Sequence, residues 1–122
     1  MSNRAIAIAA ALQAEMPNMM VMTARYTREP NEVSVVDGPV LIVSDGIASG
    51  ITLSVYGDEG DDISGLAADV HRAANRGAFM LDNAQLLLSF HRMEPMIDES
   101  DFRIGERIHC VAIEHSTANL AA

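Results

Sequence analysis

Between residues 51 and 74 the period of the hydrophobic pattern changes from two to about 3.6, and that change narrows the folds open to the chain. Ile51, Leu53 and Val55 alternate with Thr52, Ser54 and Tyr56, as in a strand with one face in a core. The stretch from Ile47 to Tyr56 is therefore the clearest strand. After the acidic loop Gly57-Asp58-Glu59-Gly60-Asp61-Asp62, which ends in a helix cap, Ile63, Leu66, Ala67, Val70, Ala73 and Ala74 recur at helical spacing. This predicts a helix from about Ser64 to Arg76, with Leu66, Val70 and Ala73 laid on the face that carries Ile51, Leu53 and Val55. Gly77 is expected to close it at the C′ position, after Arg72 and Arg76, whose charges suit the negative end of the helix dipole.

The rest of the chain is read around this pair. Ser2 or Asn3 can cap a first helix running to about Met16, stopped by Pro17 and Asn18. Its residues divide between one face with Ile6, Ala9, Ala10, Gln13 and Met16 and a neighbouring face with Ile8, Leu12 and Glu15. An extended run follows from Met19 to Tyr26. Two short runs, Val33 to Val36 and Val40 to Val43, flank Asp37-Gly38-Pro39, a hairpin signal in which Pro39 suits a strand start or a sheet edge. A last strand pair is expected over Gln85 to Arg92 and Arg107 to His115, joined by an irregular acidic connector with Pro95, Asp98, Glu99 and Asp101. The final six residues should fray. Only one helix joins strands, which disfavours a doubly wound parallel sheet. Residues 1–122 are read as a single α+β domain, a mainly antiparallel sheet with two helices packed on one face.

Composition restricts function more than fold. Half of the residues are hydrophobic (49%) but only 4% are aromatic, so the core is expected to be thin and aliphatic. The eight Met residues fill irregular gaps or serve contacts between subunits. A net charge of −9 argues against an attractive nucleic-acid or anionic-membrane surface, because such affinity comes from Lys and Arg neutralising phosphates. It is compatible with DNA passing nearby without binding. Cys110, the single cysteine, lies in the run Cys-Val-Ala-Ile and reads as a buried thiol in a reducing compartment. The Ala-rich start superficially resembles a signal peptide, but Gln13, Glu15 and Pro17 interrupt it, and it reads as a helix too short to span a bilayer.

The sequence carries no specific chemical signature. His71, His91, His109 and His115 lack the spacing of a metal site. His71 falls on the polar side of its helix, and His109 and His115 flank an apolar strand, pointing to solvent. The loop Asp58-Glu59-Gly60-Asp61-Asp62 lacks the ligand spacing of a calcium loop and reads as a solvated charge run. Ser44-Asp45-Gly46 and Ser49-Gly50 read as turns, and the glycines at 57, 60 and 65 make no phosphate cradle. No catalytic, cofactor or metal residues are expected.

The order of elements carries a resemblance. An opening helix, the strand Ile51-Thr52-Leu53-Ser54-Val55-Tyr56, the helix Leu66-Ala67-Ala68-Asp69-Val70-His71-Arg72-Ala73-Ala74, another strand, an acidic connector and a closing strand Ile108 to His115 resemble the tail terminator, or tail completion, proteins of long-tailed bacteriophages. The likeness covers the chain from about residue 40 onward and is one of pattern; Met19 to Val43 departs from it. It implies a structural virion protein with no enzymatic step, assembled in the bacterial cytoplasm. Its partners would be itself, in a homo-hexameric ring, the tail tube protein, and a head-completion or neck protein. Asp58, Glu59, Asp61 and Asp62 would then be lumen or interface residues. The competing expectations are a small ligand-binding or regulatory domain of a bacterial cytosolic protein, with its site at a sheet edge, or an intracellular adaptor.

Overall fold

The computed structural model describes residues 3–24, 39–46, 49–57, 60–81, 84–98 and 103–116. In chain order the elements are α1 (Asn3–Glu15), β1 (Met20–Ala24), β2 (Val40–Asp45), β3 (Gly50–Gly57), α2 (Ile63–Arg76), β4 (Phe79–Met80), β5 (Ala84–Asp98) and β6 (Arg103–Ser116). The strands form one sheet in the order β1-β2-β3-β6-β5-β4. Only β1 and β2 run parallel; every other neighbouring pair is antiparallel. The fold is thus α+β, with a mainly antiparallel sheet and both helices on one face.

The alternation in β3 sets the two faces. Ile51, Leu53 and Val55 lie beside Cys110 and Ile108 of β6 and Val43 and Leu41 of β2. Together with Ile8 and Leu12 of α1, Ala67, Val70 and Ala74 of α2 and Leu86 of β5, they make one buried cluster. Thr52, Ser54 and Tyr56, which alternate with them, are buried as well. Tyr56 joins Val40 and Ile42 in a second, smaller cluster, against which Met22 and Met96 pack. β3 and β2 are therefore covered on both sides, whereas β5 and β6 expose Leu87 and Ile113 on the second face.

In α1 the buried residues are Ala5, Ile8, Ala9 and Leu12, and Ile6 is 49% exposed. The face headed by Ile6 is thus not the inward one, because a helix rich in Ala has little amphipathic contrast and the sheet selects the stripe with the bulkier Ile8–Leu12 pair. The carbonyl oxygens of Met16 and Met19 accept hydrogen bonds from the Gln13 side-chain amide, while its Oε1 accepts one from the N–H of Val21. One side chain so ties the end of α1 to the start of β1.

In α2 the inward residues are Ile63, Ala67, Val70, Ala73 and Ala74, and Leu66 is only partly buried. The expected stripe is thus turned slightly, and small side chains bring the helix close to the sheet. Asp62 caps it by accepting from the N–H of Gly65. A Cβ at Gly65 would fall 2.2 Å from an Asp62 carboxylate oxygen, so this cap requires a glycine there. Gly77 does follow the last turn, but its backbone is extended (φ −85°, ψ 138°). The left-handed C′ cap is not formed, because the chain leaves directly into β4.

The last strand pair is longer than its hydrophobic pattern. Pro95 and Asp98, assigned to an irregular connector, lie within β5, paired with Glu106 and Arg103. Past Leu86 the only described neighbour of β5 is β6, and the missing N–H of Pro95 is tolerated at such an open side. Strand β4 has no counterpart among the expected elements, two residues being too few to show a period. Pro39 immediately precedes β2, a strand start. Both sides of β2 are taken by β1 and β3; the run 33–36, the connector residues Glu99 and Asp101, and the last six residues lie outside the described residues.

Candidate functional site

Three places gather the side chains that could act on something outside the chain. The first is the head of α2. Asp58 and Glu59 lie outside the described residues, so the expected acidic group is seen only at Asp61 and Asp62. Asp62 is occupied as the helix cap, and the Asp61 carbonyl accepts from the N–H of Ile63. Next to them Ser64 Oγ donates to Glu106 Oε1 at 3.0 Å, tying the helix to β6. Both aspartates thus shape the turn into α2. Among the described residues no three His, Cys, Asp or Glu stand together as metal ligands.

The second place is the sheet face turned away from the helices. Arg107 spans it, with Nε donating to Ser54 Oγ at 3.3 Å and Nη2 to Tyr56 Oη at 3.2 Å. The Tyr56 hydroxyl also lies 3.8 Å from Met96 Sδ. Gly105, directly across from Tyr56, makes this possible, because a Cβ there would sit 2.6 Å from the tyrosine ring. One strand further out, His109 Nε2 and Glu94 Oε1 are 2.8 Å apart. That hydrogen bond holds the Glu94 carboxyl below its ordinary value, and the charges of Arg92, His109 and Arg107 act in the same direction against a partial loss of hydration.

This cluster escaped the sequence because of a β-bulge between Phe90 and Arg92. Before it, even-numbered β5 residues face the helices; after it, Arg92, Glu94 and Met96 face the other way, beside His109, Arg107 and Gly105. Strict alternation would separate Glu94 from His109. Period two in β6 was the one available signal, as it places Arg107 and His109 on one face. His71, read as polar-facing, is half-buried with its ring centroid 4.1 Å from that of Phe90, and His115 is exposed. Ser44 and Asp45 lie in β2.

The third place is an open groove of about 640 Å³ between the start of α1 and the β4–β6 end of the sheet. Asn3, Arg4, Ile6, Met80, Leu81 and Glu114 line it. Ile6 and Met80 are 49% and 60% exposed. Arg4 lies 3.8 Å from Asp45 at the end of β2, an ion pair that fixes the helix start to the sheet. The Ser64 hydroxyl held against the Glu106 carboxylate is an exposed pair at the head of α2. Cys110, the one thiol, is buried in the main cluster, where loss of hydration pushes its pKa up to about 12.

No protein-family model matches the chain, and no curated protein matches it.

Proposed function

We propose that the chain is a ring-forming structural subunit, a tail terminator that caps a bacteriophage tail tube and presents a joining surface to the head or neck. The element order that resembles that family supports this, as does the acidic balance. One observation carries it. Exposed apolar side chains lie toward opposite edges of one sheet and differ between them: Met20 on β1, and Leu87 and Ile113 on β5 and β6, with Met80 on β4. Unlike patches on opposite sides are what head-to-tail contacts require, and such contacts close into a ring when the rotation permits. Each contact should bury on the order of 1,000 Å² or more.

Light scattering at rising protein concentration tests the ring, with the mass expected to grow to a closed multiple, six by the family resemblance. In a phage lacking the subunit, tails of abnormal length without heads are expected. A chain that stays monomeric up to roughly millimolar concentration, and whose loss leaves tails unchanged, sinks the proposal. The groove beside Arg4 would then favour the alternative, a small ligand-binding domain with its site at the sheet edge.

A further inference from the structure

β5 runs fifteen residues, and β4 covers its outer side only at Gln85 and Leu86. From Leu87 to Asp98 no described strand lies on that side, so a row of backbone N–H and C=O groups faces outward. Such an edge is a template for another strand, and proteins guard it with charge, proline or a bulge. β5 carries the bulge at Phe90/Arg92, the charges of Arg92 and Glu94, and Pro95.

The segment His91-Arg92-Met93-Glu94-Pro95 has opposite charges placed symmetrically about Met93. An antiparallel strand of the same sequence, centred on Met93, sets Arg92 against Glu94 of the other copy, Glu94 against its Arg92, and the two Met93 against each other. Opposite charges directly across a ladder attract and like charges repel. A parallel in-register pairing would face Arg92 with Arg92 and Glu94 with Glu94, and a slip of one residue would send the charges to opposite faces. The side chains are available: Arg92 is exposed, Met93 is 45% exposed and the Glu94 side chain 40% exposed. Glu94 is also held in place by His109 at 2.8 Å, so its carboxylate is ordered before a partner arrives.

We propose that this edge is a two-fold contact between two copies of the chain, paired antiparallel about Met93 with reciprocal Arg92–Glu94 ion pairs. The contact is self-complementary, so it cannot itself close a ring. It stands apart from the head-to-tail contacts proposed above, joining two subunits, or two rings if rings form. Because it rests on a few paired residues and two exposed ion pairs, it should be a weak contact that salt weakens further.

Sedimentation of the full chain at concentrations up to roughly millimolar is the test. Arg92→Glu and Glu94→Arg each set like charges against each other twice, and each should weaken self-association about tenfold or more, halving the particle mass relative to wild type. Mixed in equal amounts, the two variants complement each other across the axis and should associate as wild type does; the double variant Arg92→Glu/Glu94→Arg should do the same. Wild-type particle mass in both single variants overturns the proposal, as does a mixture no more associated than its components. If Glu94→Arg does not fold, Met93→Glu serves in its place, because it sets two carboxylates on the axis while keeping Arg92 and Glu94; unchanged association there also overturns the contact. A ring that persists at half the wild-type mass in Arg92→Glu supports the two-fold contact and leaves the head-to-tail one standing; a wild type without any doubling removes the two-fold contact alone.

Discussion

A thiol whose pKa is pushed up to about 12 by burial is ionised in roughly one molecule in ten thousand at pH 8, and the thiolate is the reactive form. Cys110 should therefore react with a disulfide reagent only as fast as the chain unfolds; stoichiometric labelling of the native protein within seconds would contradict its place in the core. Glu94 behaves in the opposite sense. The hydrogen bond from His109 holds its carboxyl below the ordinary 4.5, and a carboxyl lowered by folding contributes stability that is present above its unfolded pKa and lost as the pH falls through the folded value. Glu94→Gln should cost stability near neutral pH and little once the pH is well below that value. Urea unfolding at neutral pH and at the most acidic pH the fold withstands checks this, and an equal loss at both would mean that the residue acts through packing. The sequence offered Cys110 as a core thiol because apolar residues follow it. It could not offer Glu94, whose partner depends on a bulge.

At the scale of elements, the orientation of α1 is the sharpest point. Leu12 is 1% exposed and Ile6 49% exposed, so Leu12→Ala should cost about 2–5 kcal/mol, while Ile6→Ala should cost under about 1 kcal/mol. Leu66→Ala should fall between them, since Leu66 is only partly buried. Chemical denaturation of the three variants gives the order, and a cost for Ile6→Ala as large as that for Leu12→Ala would reverse the inward face. α2 was legible because Ile63, Val70 and the alanines repeat against a polar background and Asp62 stands ready as a cap. The outer half of β5 was not, because Pro95 and alternating charges look like a connector until β6 is seen to pair with them.

For the whole molecule, the negative charge at the head of α2 matters only if subunits gather around a passage for DNA. Like charges repel over about a Debye length, ~8 Å at physiological salt. In an infectious phage, Asp58→Lys combined with Glu59→Lys should leave the fold and the ring mass unchanged and lower infectivity. Full infectivity with that double variant would remove these two residues from a lumen.

What the sequence determined by itself was the α+β class, the best strand, the best helix and its cap, and a charge balance that argues against a nucleic-acid groove. The strand, the helix and its cap depend on neighbours within about a dozen residues, and local period and capping chemistry express that directly, while the charge balance is a sum over the chain. The tertiary structure alone decided which side of α1 turns inward, that Thr52, Ser54 and Tyr56 are buried as deeply as Ile51, Leu53 and Val55, and that β1 joins β2 in parallel. It alone decided, through one bulged residue, that Glu94 meets His109 beside Arg107. These are relations between residues distant in the chain, where the burial of a face is set by what packs on it and a single inserted residue reverses the parity of all that follow.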